Sequence, residues 1–145
     1  MNIKLLQAVV IFLFIGSTSI NAIAKPRGSH KVELLETSET GFCDYWLAYN
    51  QHKKGKSLAI SETGNMKVKI DGIIVEFREV SRKGTTNNVG GKHLTVYQSD
   101  RYSLRVDLVH ISNRNYQLLS EGYVIVSDGN WTNKIKIKSG CDTAG

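Results

Sequence analysis

The sequence predicts an all-β protein, an antiparallel β-sandwich or small β-barrel of six to eight short strands with one disulfide. Three observations predict this class. Apolar and polar residues alternate with a period of two through most of the chain after residue 57, turn residues separate these segments, and no convincing helical stripe is present. The chain's one proline, Pro26, lies outside every expected strand and therefore excludes none of them.

The first 24 residues have the three regions of a secretory signal peptide. Lys4 supplies a positive start, residues 5–15 are apolar except for one glutamine, and Ala22-Ile23-Ala24 forms a small-residue cleavage site. The apolar run is shorter than the roughly 20 residues that a membrane-spanning helix needs. We expect export to the periplasm or the exterior and cleavage after Ala24, with no membrane span in the mature chain.

The remaining residues are expected to form one domain behind a short leader. Residues 25–40 are polar and of mixed charge, and we expect partial disorder there with a short strand at Lys31–Leu35. The β domain then covers residues 41–145. Its first segment, Cys43–Asn50, is compatible with either a helix or a strand, because its aromatic residues interrupt any helical stripe.

The strands of the domain follow from alternation and from the turns between them. Asp71-Gly72 is a strong hairpin signal, residues 83–92 form the longest break, and Ser112–Asn115 reads as a further turn. The expected strands are Ser57–Ile60, Met66–Ile70, Ile73–Val80, His93–Gln98, Tyr102–Ile111, Tyr116–Leu119, Gly122–Val126 and Trp131–Lys138. The inward positions predict a core of Leu58, Val68, Ile70, Ile73, Val75, Phe77, Leu94, Val96, Leu104, Val106, Leu108, Val124, Val126, Ile135 and Ile137.

Cys43 and Cys141 are the two cysteines of the chain and predict a structural disulfide. A disulfide persists in the oxidising compartments that exported proteins reach, and two cysteines allow one intramolecular pairing. Closing a loop of about 100 residues contributes roughly 4 to 5 kcal/mol in the chain-entropy model. Neither a Cys-x-x-Cys redox pair nor a cysteine–histidine metal spacing is present, so we expect no metal and no cofactor.

The charge balance is moderately basic. Nineteen basic and 13 acidic residues give the chain a net charge of +6, and removal of Lys4 with the signal peptide leaves +5. Such a balance favours anionic partners, although it also serves solubility alone.

Two lysine rows are candidate binding residues. Lys134, Lys136 and Lys138 alternate with apolar residues and would project from one face about 6.6 Å apart, and Lys67 with Lys69 forms a shorter row. If the two strands are neighbours, the rows make one cationic patch. Otherwise the lysines protect exposed strands from intermolecular pairing. No aromatic residues are interleaved with these lysines, so we expect no specific nucleic acid partner.

The aromatic group Tyr45, Trp46 and Tyr49 is the second candidate. Aromatic side chains anchor interfaces and stack on sugars, but they also fill the cores of small domains. The break at residues 83–92 is longer than the usual hairpin loop, which is compatible with a functional loop or a mobile one.

No catalytic residue is predicted. The histidines at positions 30, 52, 93 and 110 show no metal-binding spacing, and neither a Gly-x-Ser-x-Gly elbow nor a phosphate-binding loop occurs. His110 is expected to be a buried, hydrogen-bonded histidine.

The chain resembles a group of small exported bacterial β-proteins without an established activity. The resemblance lies in Gly41-Phe42-Cys43, in Asp100-Arg101-Tyr102 leading into Leu104–Asp107, and in Ser139-Gly140-Cys141. Members of that group often end in Cys-x-Cys, which this chain lacks. In architecture it is also similar to periplasmic lysozyme inhibitors, although its nearest counterpart to their inhibitory loop, Ser120–Tyr123, has a different spacing.

These observations favour an exported, non-enzymatic binding domain whose partner is a protein or an anionic cell-envelope polymer. The first alternative is a periplasmic inhibitor of a lysozyme-like hydrolase. The second is an envelope hydrolase without a recognisable motif, which requires histidines and carboxylates to converge in a pocket.

Overall fold

A computed structural model describes residues 29–36, 42–49, 56–84, 88–114 and 117–142. The expected signal peptide and much of the expected leader lie outside these ranges. The described residues form eleven strands, which are β1 (Val32–Glu33), β2 (Leu35–Glu36), β3 (Cys43–Leu47), β4 (Lys56–Ser57), β5 (Ala59–Glu62), β6 (Asn65–Ile70), β7 (Ile73–Gly84), β8 (Lys92–Gln98), β9 (Ser103–Arg114), β10 (Gln117–Ser127) and β11 (Thr132–Asp142). Within them no helix is long and apolar enough to cross a membrane.

Eight of these strands close into an antiparallel barrel. Their order around the wall is β6-β5-β3-β11-β10-β9-β8-β7, and β7 pairs back onto β6 to complete the circle. The short strand β1 pairs with β6 beyond the end of β5, while β2 and β4 form a separate two-stranded ladder. The prediction of an all-β fold is confirmed, and of the two architectures that the sequence allowed, the barrel is the one formed.

The turn between β6 and β7 shows how the sequence sets a hairpin. Asp71 and Gly72 have φ values of 50° and 81°, and Ile70 pairs directly with Ile73 across them. Two successive positive φ values give the twist that matches the flanking strands, which is why an Asp-Gly pair is favoured at this place.

The core fills the barrel interior with the inward residues of the alternating strands. Its largest fully buried apolar side chains are Phe77, Met66, Ile70, Leu104, Ile137, Val68, Val106, Val124 and Val126. At about 1.5 to 3 kcal/mol for each fully buried large apolar side chain, this interior supplies the main stabilising contribution of the fold.

The predicted faces were wrong at β8 and at the start of β7. Thr95 and Tyr97 point inward, so that Leu94 and Val96 lie on the outer face rather than in the core. Both faces of β8 carry apolar side chains, and a shift of one residue therefore exchanges them. Ile73 is 68 % exposed because it directly follows the turn at the end of the barrel.

The hairpin between β9 and β10 corrects a second expectation. Ser112–Asn115 was expected to be a turn, but β9 continues through Arg114. The two short strands expected after it form the single strand β10, whose pairing with β9 shifts at Leu119/Ser120. A bulge of this kind interrupts simple alternation without ending the strand.

The disulfide between Cys43 and Cys141 is confirmed. The two residues face each other in the pairing of β3 with β11, and their Cα atoms lie 4.1 Å apart. The bridge ties the first barrel strand to the last strand of the described chain across a sequence separation of 98 residues.

One end of the barrel is closed by the segment before β1. His30 Nδ1 lies 2.6 Å from Oδ2 of Asp71, and Nε2 lies 3.2 Å from Oδ2 of Asp128. The imidazole meets the rings of Tyr102 and Trp131 edge-on at centroid distances of 5.6 and 5.3 Å. A single side chain thereby joins the three hairpin turns of this end.

Candidate functional site

The two lysine rows lie on separate parts of the outer wall. Lys134 and Lys136 on β11 are exposed, and Lys138 is half-buried. Lys67 and Lys69 also face outward, on β6, but strands β5 and β3 stand between β6 and β11. The two rows therefore do not join into one patch, and the β11 row must be considered with its own neighbours.

Aromatic residues flank the β11 lysine row on both sides. Trp46 on β3 pairs in register with Lys138, and Tyr123 on β10 pairs with Lys136. Lys134 Nζ lies 4.1 Å from the centroid of the Tyr123 ring, within the range of a cation–π contact. Neighbouring strands supply the aromatic interleaving that the lysine strand itself lacks.

The register extends this cationic surface across four further strands. One row of directly paired residues runs across the strands from β7 to β11 and contains Lys83, Leu94, Asp107, Tyr123 and Lys136. With strands about 4.8 Å apart, the two lysines at the ends of the row are separated by roughly 19 Å along the wall.

Two parallel rows bring further charges to this surface. Arg105 and Lys134 belong to the row on one side, while Lys92, Glu121 and Lys138 belong to the row on the other. The basic face is defined by its six basic residues, Lys83, Lys92, Arg105, Lys134, Lys136 and Lys138.

An open groove of about 550 Å³ crosses this surface next to Tyr123. Lys83, Lys92 and Arg105 line it together with the apolar residues Leu94 and Val109. The groove has a mixed lining with basic flanks, which fits an extended anionic ligand better than an enclosed small molecule.

Two carboxylates moderate the charge of the basic face. Arg105 forms an ion pair with Asp107 at 2.9 Å, and Glu121 stands opposite Lys138 in register. Six basic and two acidic side chains leave a net charge of +4. This part of the outer wall therefore carries an excess of positive charge.

The aromatic group Tyr45, Trp46 and Tyr49 is divided by the fold. Tyr45 points into the core, where it hydrogen-bonds Ser61 and where burial raises the pKa of its phenol. Tyr49 is 80 % exposed at the end of β3. Trp46 lies beside the basic face, and Ala48, which precedes Tyr49, donates its backbone N–H to the carbonyl oxygen of Lys136.

A row of polar side chains crosses the inside of the wall. The row contains four buried residues that pair in register across neighbouring strands. They are Tyr45 on β3, Ser139 on β11, Ser120 on β10 and His110 on β9. His110 Nδ1 and Ser120 Oγ lie 2.6 Å apart. Ser139 Oγ and His110 Nε2 hydrogen-bond no residue of the described chain.

His93 stands between this row and the groove. Its ring centroid lies 4.4 Å from that of His110, and it also lines the groove. Burial lowers the pKa of His110, and the neighbouring His93 lowers it further. His110 is therefore held in its neutral form, as expected for a buried histidine.

The Ser120–His110 contact lacks the access that catalysis needs. Ser120 is 1 % exposed, so its hydroxyl meets no substrate from solvent. His52 lies outside the described residues. Among those described, no three histidine, cysteine, aspartate or glutamate side chains are close enough to hold a metal ion.

A second polar cluster lies near the Tyr45 hydroxyl. Arg82 forms a two-point ion pair with Glu79, with its Nε donating over 3.1 Å, and this contact raises the pKa of the guanidinium. Burial raises the pKa of the Tyr97 phenol beside the pair. The ion pair lies at the solvent-exposed edge of this cluster.

Sequence reasoning missed Tyr123, Lys92, Arg105 and Lys83 as members of the basic face. Each is an ordinary strand residue, and only cross-strand register places it beside the β11 lysines. The period-two spacing of Arg105 and Asp107, and of Glu121 and Tyr123, marks outward positions but does not identify the neighbouring strand.

Comparisons of the chain with known proteins find no matching family model, no significantly similar curated protein and no significantly similar solved structure. The stretch that invited comparison with an inhibitory loop, Ser120–Tyr123, lies within β10. Ser120 is buried, while Tyr123 faces outward.

Proposed function

We propose that this protein is an exported, non-enzymatic binding domain that holds an anionic cell-envelope polymer on its basic face. The observation that carries the proposal is the register that sets Trp46 and Tyr123 on either side of Lys134, Lys136 and Lys138. Cations beside aromatic rings suit a polymer that combines sugar rings with regularly spaced negative groups.

The groove supports the same interpretation. It continues from Tyr123 toward Lys83 and Lys92, so that an extended chain lying across the wall passes between cations at both ends. The Cys43–Cys141 disulfide is compatible with an oxidising compartment, in which envelope polymers are the abundant polyanions.

The experiment measures the affinity of the oxidised mature domain for dextran sulfate, with neutral dextran as the ligand control. Replacing Lys134→Glu and Lys136→Glu together should lower the affinity by at least about tenfold at low salt, because two attractions become repulsions of about 1 kcal/mol each. Raising the salt concentration should lower the affinity of the wild type and reduce the difference in affinity between the wild type and the double variant.

The matched control is the double replacement Lys67→Glu and Lys69→Glu on β6. It changes the net charge by the same amount but lies outside the basic face. An equal loss in both double variants would mean that the ligand responds only to net charge, and the proposal of a defined binding face would fail.

A protein partner is the alternative within the binding class. It would occupy the same face through Trp46 and Tyr123 as interface anchors. Trp46→Ala would then abolish capture of one salt-resistant protein from envelope extract, whereas a polymer ligand is released at moderate salt.

A further inference from the structure

The outer face of β7 carries a second surface, away from the β11 lysines. Ile74, Glu76 and Arg78 occupy alternate outward positions, Val80 follows at a bulge in the pairing with β8, and all four are exposed. Ile74 is 57 % and Val80 61 % exposed, so both present apolar surface to solvent. An open groove of about 750 Å³ follows these residues toward the turn between β8 and β9.

The order of these residues is self-complementary. Reading along β7, the outward side chains are apolar, acidic, basic and apolar, and their midpoint lies at the buried residue Phe77. A twofold axis that runs across the strand at the level of Phe77 places Glu76 opposite Arg78 of a second copy. Ile74 then lies on the side of the axis that faces Val80 of the second copy, although the bulge at Val80 displaces that residue from the regular spacing.

We infer that the partner of this surface is a second copy of the same chain, docked face to face through β7. A twofold interface uses the same patch on both copies, so each unlike contact occurs twice. Glu76 and Arg78 each lie about 3.3 Å from the twofold axis, measured along the strand. Packed sheets are usually rotated by about 30° relative to each other, and this rotation separates facing residues least when they lie close to the axis.

The neighbouring strand is compatible with this docking. Lys67 stands beside Glu76 on β6, and Asn65 stands beside Arg78. The same twofold axis brings Lys67 opposite Asn65 of the second copy rather than opposite its lysine. No like charges of β6 and β7 at these levels are forced together.

The size of the patch sets the strength of the dimer. Four side chains on one strand and their immediate neighbours would bury less than about 1,200 Å² of accessible surface, which is at the low end for specific interfaces. We expect a reversible dimer that dissociates between roughly 1 µM and 1 mM.

The test is sedimentation velocity of the oxidised mature domain over this concentration range. Glu76→Arg should raise the dissociation constant about 10- to 30-fold, because it places two arginines opposite each other at two symmetric contacts. Arg78→Glu should do the same. The double replacement E76R/R78E exchanges the charges and should restore the dissociation constant to within about threefold of the wild type.

The charge-matched control is Glu121→Arg on β10, which should leave the dissociation constant unchanged. Far-UV circular dichroism and urea unfolding verify that each variant is folded. A domain that stays monomeric throughout the range would overturn the inference. The inference would also be overturned if the single replacements left the dissociation constant unchanged, or if the double replacement did not restore it.

Discussion

His30 shows how much a single side chain outside the barrel strands can organise. In the neutral form with a proton on Nδ1, it donates to Asp71 and accepts at Nε2 from Arg101, whose Nη2 lies 3.1 Å away. Nε2 also lies 3.2 Å from Oδ2 of Asp128. The ring therefore connects the chain before β1 to the turns at this end of the barrel.

The two carboxylates beside His30 give the fold an acid-sensitive point. Backbone donation from Lys31, followed by the contact with His30, lowers the pKa of Asp71 below its ordinary value of 3.8. Backbone donation from Asn130 and Trp131 lowers the pKa of Asp128 in the same way. Groups with a depressed folded-state pKa contribute stability that is present above the unfolded-state value.

We therefore expect stability to fall as the pH drops below about 3.8 and through the lower pKa values of the folded state. The measurement is urea unfolding between pH 7 and pH 2 for the wild type and for D71N/D128N. The free energy of unfolding of the double variant should change less than that of the wild type over the acidic part of this range. Identical pH profiles would show that other carboxylates carry the acid sensitivity.

At the scale of the strand, β10 depends on a glycine for its approach to β9. A Cβ atom at Gly122 would lie 1.8 Å from the carbonyl oxygen of Asp107, which is backbone and cannot rotate away. The strand passes its neighbour at this place only because no side chain is present.

Gly122→Ala should accordingly destabilise the fold by about 2 to 3 kcal/mol, because the strands must separate locally. Gly140→Ala on the adjacent β11 is the matched control, since its Cβ would make ordinary contacts of 3.4 Å or more with Trp46 and Leu119. Urea denaturation compares the two. Equal stability in both variants would contradict the close approach of β10 to β9.

The strands were predicted well where one face alone is apolar. β6 and β11 follow their sequence patterns, with lysines outward and Val68 or Ile137 inward. The assignment failed at β8, where Leu94 and Val96 were assigned to the core but Tyr97 on the opposite face is the buried residue. Alternation identifies two faces but cannot say which is buried when both carry apolar side chains.

At the scale of the whole molecule, the sequence could not determine which strands are neighbours. It indicated the disulfide, because two cysteines allow one pairing, and it identified the β11 lysines as an outward row. It did not reveal that β5 and β3 separate the two lysine rows, nor that Tyr123 and Trp46 flank one of them. Neighbour relations of this kind depend on long-range pairing, which period-two spacing does not encode.

The basic face and the β7 face divide the outer wall between two proposed roles. The basic face carries an excess of positive charge beside two aromatic rings, while Ile74, Glu76, Arg78 and Val80 on β7 form a neutral and partly apolar surface. A dimer formed through β7 would display two basic faces, and a polymer long enough to reach both would gain affinity from the second contact.

Localisation of a bound polyanion by nuclear magnetic resonance tests the central claim most directly. Dextran sulfate is added to the isotope-labelled, oxidised chain from Lys25 to Gly145, and backbone amide shifts are followed for each residue. The account predicts that the largest changes fall on Lys134–Lys138, Tyr123 and Lys92, with little change at Lys67 and Lys69. Changes centred on β6, or spread over all exposed lysines alike, would contradict a binding face that runs from Lys83 on β7 to the lysines of β11.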